Sequence, residues 1–271
     1  MLNTTKQQRI ALVPGASSGL GAAFAERLAH DQYDLIVVAR RKDRLDALAQ
    51  ILRAKYRTSV EVLVADLTLK DQLETVERRI TDEMSIELLV NNAGFGGYQS
   101  FLTLDPDKAD ELIRLQVTAL TRLTRAVLPS MVARKRGSII NVSSRLAFTG
   151  TMTLPSLPKR ATYAATKSFV NTFSQILASE LAGSGIRVQA LCPGVIRTEF
   201  HELMGIDPSR FPPSIVMKPE DVVDASLKGL ELGETLCIPS LEDSGLIDRL
   251  HESAIALVER SSGNAVADRY G

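Results

Sequence analysis

Two residues of the chain, Tyr163 and Lys167, have the types and the spacing of an acid–base pair. They lie four residues apart in the run YAATK, and a helix would place both side chains on one face. A free tyrosine has a pKa of about 10, and a neighbouring ammonium group lowers that pKa because it favours the phenolate. The pair is therefore predicted to exchange a proton with an alcohol or carbonyl oxygen. Because this spacing is common by chance, the prediction depends on the surrounding sequence.

A glycine-rich run, PGASSGLG, places Gly15, Gly19 and Gly21 between a first apolar run and a first helical segment. One glycine permits a tight turn, one lets the backbone approach a pyrophosphate, and one lets the helix pack on the strand. The helix that follows offers N–H groups and a partial positive charge to phosphate. The run predicts a dinucleotide site, and a turn that serves only close packing is the alternative.

The residues after the second predicted strand indicate which dinucleotide binds. NAD sites usually have an acid there for the ribose 2′-hydroxyl, but this chain has Ala39 followed by Arg40 and Arg41. A guanidinium group pairs with a 2′-phosphate, which a carboxylate would repel. We therefore predict NADP(H), with Arg40 as the first candidate ligand and Arg41 as the second. The alternative is a solvated basic start to the second helix.

Short apolar runs alternate with amphipathic segments along the chain. Strands are predicted at 10–13, 35–39, 60–65, 88–90, 138–142 and 186–191, and helices at 19–30, 41–56, about 107–135 and 161–183. Continuous β-branched runs indicate parallel strands buried on both faces. The prediction is an α/β fold, one doubly wound parallel sheet of the Rossmann type with helices on both faces, in a single domain over 1–271. Ligands bind at the carboxyl edge of such sheets, where 145–162 and a loop or lid at about 193–219 follow strands.

Composition excludes several classes of function. The chain has 32 basic and 32 acidic residues, so it lacks the basic field that nucleic-acid binding needs. Its apolar runs are shorter than the ~18 residues of a membrane span, and its N-terminus does not have the pattern of a signal peptide. Cys192 and Cys237 lie in apolar runs and are predicted to be buried thiols, with no metal site. A cytoplasmic location is expected.

Five motifs together give the chain a specific resemblance to a known family. Between about residue 9 and residue 200 the chain contains, in this order, the motifs PGASSGLG, NNAG, NVSS, YAATK and PGVIRT. Weaker similarity extends to about residue 240. In these motifs the chain resembles the short-chain dehydrogenase/reductase family. The resemblance implies a Rossmann-type fold, a nicotinamide cofactor and the interconversion of a carbonyl and an alcohol by hydride transfer.

The resemblance also implies a role for each matching residue. Tyr163 corresponds to the general acid in carbonyl reduction and the base in the reverse reaction. Lys167 corresponds to the lysine that holds the nicotinamide ribose and lowers the tyrosine pKa. Ser144 corresponds to the serine that hydrogen-bonds the substrate oxygen, with Ser143 as the alternative. The residues implied to contact the cofactor are Gly15, Ser17, Ser18, Gly19, Leu20, Gly21, Arg40, Arg41, Asp66, Leu67, Asn92, Ala93, Gly94, Tyr163, Lys167, Pro193, Gly194, Ile196 and Thr198.

The chain departs from the family pattern at three places. Pro14 replaces a threonine before the first glycine, and a local adjustment is expected there. Gln116 replaces an asparagine that holds a proton-relay water, and its amide lies one methylene further out, so catalytic activity is expected to be retained or reduced. The loop between Ser144 and Tyr163 is about six residues longer than usual. This longer loop is either an enlarged pocket wall or a surface bulge.

The sequence leaves the substrate and the assembly as expectations. Apolar residues in the lid favour a lipophilic small-molecule carbonyl or alcohol, although packing against the body is the alternative; these residues are Phe200, Leu203, Met204, Ile206, Phe211, Ile215, Val216 and Met217. A homo-oligomer, either dimer or tetramer, is expected from the resemblance. Two other functions stay open: a nucleotide-binding regulator that has lost turnover, and an NAD-dependent alcohol dehydrogenase.

Overall fold

A computed structural model describes residues 9–152, 157, 159–200, 202, 205–207 and 211–270. The chain divides into two compact units, Met1–Pro239 and Ser240–Gly271. The first unit contains the sheet and the predicted site. The second contains a helix at Gly245–Arg260 and a short 3-10 turn at Asp268–Tyr270. The assignment of 1–271 to one domain stays a prediction.

A seven-stranded parallel sheet forms the centre of the first unit. The strands of the described residues are β1 Ile10–Pro14, β2 Asp34–Ala39, β3 Val60–Val64, β4 Ile86–Asn91, β5 Gly137–Val142, β6 Ile186–Leu191, β7 Val195–Ile196, β8 Val216–Met217 and β9 Leu236–Cys237. The sheet order is β3-β2-β1-β4-β5-β6-β9, and β7 pairs with β8 in a separate ladder. The predicted fold class and all six predicted strands are confirmed. The strand order reverses between β1 and β4, which opens a crevice at their carboxyl ends.

Helices alternate with the parallel strands of the first unit. In the described residues they are α1 Gly19–His30, α2 Lys42–Tyr56, α3 Lys70–Thr81, α4 Pro106–Ile113, α5 Leu120–Arg134, α6 Ala161–Glu180 and α7 Pro219–Leu232, while α8 Gly245–Arg260 belongs to the second unit. The four predicted helical segments are present. The helices α3, α7 and α8 and the strands β7, β8 and β9 were not predicted from the sequence.

The predicted helical stretch at 107–135 is present, but its winding changes along its length. The Asp105 side chain accepts a hydrogen bond from Asp107 N at 2.9 Å, and Pro106 takes the first helical position, so the start is well capped. A π-helical turn, Arg114–Ala119, then separates α4 from α5. Such wide turns often occur at functional sites, and this one contains the buried side chain of Gln116.

Apolar side chains cover both faces of the sheet. In β1, Ala11 and Val13 pack towards α1, α2 and α7, whereas Ile10 and Leu12 pack towards α3, α5 and α6. Each face is buried by three helices, so the strands are apolar on both sides. The sheet is therefore a rigid support for the loops at its carboxyl edge.

Three further expectations concern the cysteines, metal binding and membrane spans. Cys192 and Cys237 are buried free thiols, as predicted. The described residues contain no group of three side chains suited to hold a metal ion. No helix in the described ranges has both the length and the apolar composition that would let it cross a bilayer.

Candidate active site and cofactor cleft

A cleft of about 430 Å³ lies at the carboxyl edge of the sheet. It brings the glycine-rich turn, the arginines after β2 and the Tyr163–Lys167 pair into one continuous site. Of the predicted site residues, all except Gly21 line it: Gly15, Ser17, Ser18, Gly19, Leu20, Arg40, Arg41, Asp66, Leu67, Asn92, Ala93, Gly94, Gln116, Ser144, Tyr163, Lys167, Pro193, Gly194, Ile196 and Thr198.

The glycines form a turn that no larger residue fits. Gly15 has φ +78°, and a Cβ there would lie 2.8 Å from Ala93 Cα. A Cβ at Gly21 would lie 2.3 Å from the Gly15 carbonyl oxygen. Gly21 is thus needed for packing beneath the cleft. Asn92 Nδ2 donates to the carbonyl oxygens of Pro14 and Gly15, at 3.3 and 3.1 Å. The backbone carbonyl that proline retains is therefore used, and the turn is intact.

The first turn of α1 suits an anionic ligand. Ser18 is the N-cap residue, and its side chain makes no capping bond. No acidic residue lies in this first turn, while Gly19 and Leu20 line the cleft. The positive end of the helix dipole is thus directed at the cleft. Together with the glycine turn, these groups fit a dinucleotide diphosphate.

The two arginines after β2 differ in how firmly they are held. Arg40 Nη1 lies 3.5 Å from Asp66 Oδ2 and 3.6 Å from Glu111 Oε1, and 62% of its side chain is exposed. Arg41 makes short hydrogen bonds to Ser17, Ser18 and Glu199. Arg40 therefore has the greater freedom to meet an incoming anion.

Asp66 is already held in position at the same end of the cleft. Its Oδ1 accepts hydrogen bonds from Thr68 N at 3.0 Å and Thr68 Oγ1 at 2.7 Å. Burial alone would raise the pKa of Asp66, but the Thr68 hydrogen bonds and the Arg40 charge outweigh burial and lower it. Asp66 is therefore a fixed carboxylate beside Arg40.

Tyr163 and Lys167 lie on one face of α6, as the spacing predicts. Tyr163 is 5% exposed and Lys167 is 6% exposed. Lys167 Nζ donates to the Val142 carbonyl oxygen at 2.8 Å and lies 5.7 Å from the centroid of the Tyr163 ring. Ser144 hydrogen-bonds Tyr163, whereas Ser143 Oγ donates to the Lys167 carbonyl oxygen at 3.0 Å. Ser144, not Ser143, is thus the serine that faces the phenol.

The pKa of Tyr163 differs from the prediction. Burial, with the neighbouring Tyr98, raises it well above the usual value of 10.0. Burial also lowers the pKa of Lys167 to about 8. The predicted lowering of the tyrosine pKa is wrong for this structure, because the ammonium binds Val142 and desolvation outweighs its field.

Tyr98 is a site residue that the sequence analysis missed. Its ring meets that of Tyr163 edge to face, with centroids 5.1 Å apart, and its ring centroid lies 6.5 Å from that of Phe200. The Tyr98 hydroxyl is hydrogen-bonded to Tyr163, and burial raises the pKa of Tyr98 to about 12. One signal was available in the sequence: Tyr98 is an aromatic residue in the glycine-rich loop that follows β4.

Gln116 binds protein groups. Its Nε2 donates to the Phe95 carbonyl oxygen at 2.6 Å, and its Oε1 accepts from Thr166 Oγ1 at 2.8 Å. The amide therefore links the loop after β4 to α6. In this arrangement Gln116 supports the position of Tyr163, whose carbonyl oxygen also accepts from Thr166.

Comparison with known proteins decides the family. The family model described as short chain dehydrogenase matches residues 9–207. The chain belongs to the short-chain dehydrogenase/reductase family. This is a family of oxidoreductases that bind nicotinamide cofactors, and the resemblance in the five motifs is confirmed.

Two solved structures and one curated relative show the range of this similarity. A short-chain dehydrogenase from Sphingobium yanoikuyae in complex with NADPH is 40% identical, with a TM-score of 0.90, and the match covers 97% of this chain and 100% of that one. The bulky-bulky ketone specific alcohol dehydrogenase from Comamonas testosteroni is 35% identical, with a TM-score of 0.87, over 98% and 99% of the two chains. The human "Inactive hydroxysteroid dehydrogenase-like protein 1" is 33% identical over 70% of this chain, which spans 56% of that relative's length.

The loop after β6 borders the cleft. The cleft is lined here by Pro193, Gly194, Ile196, Thr198 and Phe200. The β7–β8 ladder joins the two ends of the predicted lid. None of the lid's described apolar residues named in the sequence analysis is fully buried. Among them, Phe200 lines the cleft, and Met217 packs against the main apolar core. Leu203, Met204 and Pro208 lie outside the described residues.

The extended loop before α6 is described only in part. Its first residues form a 3-10 turn, Arg145–Phe148, whose N-cap is Ser144. Arg145 N donates to the Pro193 carbonyl oxygen at 3.0 Å, which ties this turn to the loop after β6. Pro155 and Pro158 lie outside the described residues. The choice between an enlarged pocket wall and a surface bulge therefore stays open.

Proposed function

We propose that this chain is an NADP(H)-dependent oxidoreductase that interconverts a bulky, lipophilic ketone and its secondary alcohol. One observation carries the proposal. The same cleft has a mostly exposed cationic group, Arg40, at one end and the Tyr163–Ser144 pair at the other. A dinucleotide phosphate and a reacting oxygen would therefore be bound in one site.

The cofactor assignment rests on the charge at the end of β2. Ala39 offers no carboxylate to a ribose hydroxyl, and Arg40 offers a guanidinium group that is mostly exposed. Such a group binds a 2′-phosphate with charge-assisted hydrogen bonds. The NADPH in the Sphingobium relative supports the same assignment. When bound, the cofactor supplies the hydride.

The acid–base role falls to Tyr163. Its raised pKa keeps the phenol protonated at neutral pH, which suits the donation of a proton to a carbonyl oxygen. Ser144 hydrogen-bonds the phenol and presents a second hydroxyl to the same oxygen. In the reverse direction the phenol accepts the proton of the alcohol. Positioned acid–base catalysis of this kind contributes about 10²–10⁴-fold.

Lys167 is proposed to hold the nicotinamide ribose beside Tyr163. Its pKa of about 8 leaves the amine mostly protonated at pH 7. An ammonium group that leaves the Val142 carbonyl for a ribose hydroxyl would remain close to the phenol ring. It would then favour the phenolate and so assist proton transfer.

The substrate class rests on the residues around Tyr163. Tyr98, Phe200, Leu112 and Leu146 form an apolar cluster with it, and apolar walls with few polar groups are typical of sites for lipophilic ligands. The Comamonas relative is named for bulky ketones, which agrees with this chemistry.

A homo-oligomer is also proposed, since Val132, Phe169 and Ile176 leave apolar surface exposed on α5 and α6.

Cofactor titration followed by turnover tests the proposal. NADPH and NADH are titrated by fluorescence against the wild type, Arg40→Ala and the control Lys42→Ala, whose side chain is also exposed near the start of α2. We expect NADPH to bind the wild type at least about tenfold more tightly than NADH, and Arg40→Ala to weaken that preference. Equal binding of both cofactors by the wild type would instead support the NAD-dependent alcohol dehydrogenase.

Turnover is then measured with a panel of diaryl and aryl-alkyl ketones. Tyr163→Phe is expected to lower kcat by about 10²–10⁴-fold and to leave NADPH affinity unchanged. If NADPH binds and no ketone or alcohol in the panel reacts, the catalytic proposal is wrong. A second candidate, a nucleotide-binding regulator, then takes its place. The human relative described as inactive and the replacement at Gln116 favour this candidate.

A further inference from the structure

Glu199 lies directly after Thr198, the last residue of the PGVIRT motif, and its carboxylate is fully engaged. Oε1 accepts from Arg41 Nη1 at 2.7 Å, and Oε2 accepts from Arg44 Nη1 at 2.6 Å. Both arginines come from the segment that follows β2. The carboxylate therefore links the loop after β6 to the opposite side of the cofactor cleft.

The other nitrogen atoms of Arg41 face the glycine-rich turn. Nε and Nη2 donate to Ser17 Oγ at 3.2 and 2.9 Å, and Nη2 donates to Ser18 Oγ at 2.6 Å. All three guanidinium nitrogens thus have partners, and the plane of the group is fixed. Arg40, one residue earlier, has two longer contacts, to Asp66 and Glu111.

The charges of this cluster leave a net positive group at the glycine-rich turn. The hydrogen bond from Arg44, then that from Ser18, lowers the pKa of Glu199 to about 2, although burial opposes them. Glu199 is therefore ionised at any physiological pH. Arg41 and Arg44 share this one carboxylate, so the cluster keeps one net positive charge. The Nη2 of Arg41 donates to Ser17 and thus faces the glycine-rich turn.

We propose that Glu199 is a positioning residue for cofactor selection. It holds the Arg41 guanidinium against Ser17 and Ser18, in the orientation that receives the 2′-phosphate of NADP(H), and couples that end of the cleft to the loop containing Thr198. This inference rests on the proposed NADP(H) dependence. It adds a residue that would influence phosphate binding only by positioning Arg41.

Preorganisation is the physical reason for an effect on affinity. A free arginine side chain loses rotamer freedom when it binds a phosphate, and a side chain already fixed by its neighbours loses less. Without the Glu199 carboxylate, Arg41 would have Ser17 and Ser18 as its remaining partners, and its orientation would be weakly defined. NADH has no 2′-phosphate and should be insensitive to this loss.

The test compares Glu199→Gln with the wild type and with Glu231→Gln. Glu231 pairs with Lys228 on the exposed face of α7 and serves as a matched carboxylate control. Each protein is titrated with NADPH, NADH and 2′,5′-ADP, a probe that carries the phosphate but no nicotinamide. For Glu199→Gln we expect the affinity for NADPH and for 2′,5′-ADP to fall by about fivefold to thirtyfold, and that for NADH by less than about twofold.

Two further variants connect the effect to Arg41. In an Arg41→Ala background, Glu199→Gln should change none of the three affinities, since the group it positions is gone. Glu199→Asp keeps the charge and should retain more of the NADPH affinity than Glu199→Gln. Unchanged NADH binding reports that each variant has folded.

Several outcomes would overturn the inference. An equal loss for NADPH and NADH would make Glu199 a loop anchor with no part in phosphate selection. Tighter NADPH binding by Glu199→Gln would show that the carboxylate competes with the phosphate. An additive effect in the Arg41→Ala background would exclude action through Arg41. If the wild type itself does not prefer NADPH, the proposed function fails first, and that result is distinct from these three.

Discussion

The hydroxyl of Tyr98 is hydrogen-bonded to Tyr163, and the two rings meet edge to face with centroids 5.1 Å apart. Tyr98 comes from the loop after β4, and Tyr163 is the third residue of α6. That loop and the first turn of α6 therefore meet at the phenol. The neighbouring Tyr98 helps to raise the pKa of Tyr163. The loop after β4 therefore influences the pH at which Tyr163 loses its proton.

Replacement of Tyr98 with Phe tests this relationship. The variant keeps the ring contact and removes the hydroxyl that raises the Tyr163 pKa. We expect the pH profile of alcohol oxidation, which needs the phenolate, to move towards lower pH. The loss of one hydrogen bond worth about 1 kcal/mol should lower kcat/KM for ketone reduction by about fivefold. The measurement is kcat/KM against pH in both directions.

Nearby charges must be controlled in this experiment. Arg145 lies close enough to lower the pKa of Tyr98, and Lys167 Nζ lies 5.7 Å from the centroid of the Tyr163 ring. Phe200→Leu, which changes the same aromatic cluster without removing a hydroxyl, serves as the control. A shift of equal size in Phe200→Leu would attribute the effect to packing and refute the role of the Tyr98 hydroxyl.

Gln116 is expected to contribute stability through both ends of its amide. Gln116 is 2% exposed, and Gln116→Leu removes the amide that donates to the Phe95 carbonyl oxygen and one of the two acceptors of the Thr166 hydroxyl. The free energy of unfolding should fall by about 1–3 kcal/mol. Gln116→Asn is too short to keep both contacts and should also lose stability. Urea denaturation measures both, with the exposed Gln99→Asn as control.

The same variants bear on activity. Since the Gln116 amide is bound to Phe95 and Thr166 in this protein, restoring the family's asparagine should not raise kcat. A rise in kcat in Gln116→Asn, with NADPH affinity unchanged, would show that the longer side chain is what limits turnover. That result would contradict the structural role assigned here.

Gly21 is predicted to tolerate no side chain. A Cβ at this position would lie 2.3 Å from the Gly15 carbonyl oxygen, which is backbone and cannot move without changing the turn. Gly21→Ala should therefore lower the free energy of unfolding by about 1–3 kcal/mol, as overpacking does, and should weaken NADPH binding. Gly150→Ala is the control, because a Cβ there meets nothing within 4 Å. Equal Tm values and NADPH affinities in the two variants would refute the steric argument.

The fold and most of the site were predictable from the sequence because local patterns encode them. Buried parallel strands such as β1 and β2 consist largely of continuous apolar runs, and the glycine turn has its own spacing. β9 was missed because two residues, Leu236–Cys237, give no periodic signal. Their strand character depends on β6, which is distant in sequence.

Electrostatic details were not predictable, because they depend on contacts distant in sequence. The Tyr163–Lys167 spacing correctly predicts a shared helix face, but the pKa of Tyr163 depends on burial and on Tyr98. Likewise, the sequence shows Arg41 beside Arg40, and only the fold shows that Glu199 occupies one of the two. Spacing thus identifies the groups, and the fold determines their charge states.

Lys167 supports activity, but its burial is expected to lower the free energy of unfolding. Its pKa is about 8 in the folded protein and 10.5 when solvated, so the unfolded chain binds more protons between these pH values. The cost is complete below pH 8 and disappears as the pH rises to about 10.5. A shift of this size corresponds to about 3 kcal/mol. Replacement of Lys167 also removes its hydrogen bond to Val142, and this loss offsets about 1 kcal/mol of the gain in stability.

Lys167→Met should therefore be inactive and, at pH 7, more stable than the wild type by about 2 kcal/mol. This advantage should shrink between pH 8 and pH 10.5, because the wild-type lysine becomes neutral in both states. Urea denaturation at several pH values measures it, with the exposed Lys228→Met as control. A variant less stable than the wild type at pH 7 would mean that Lys167 is well solvated or paired in the folded protein, and the desolvation account would be wrong.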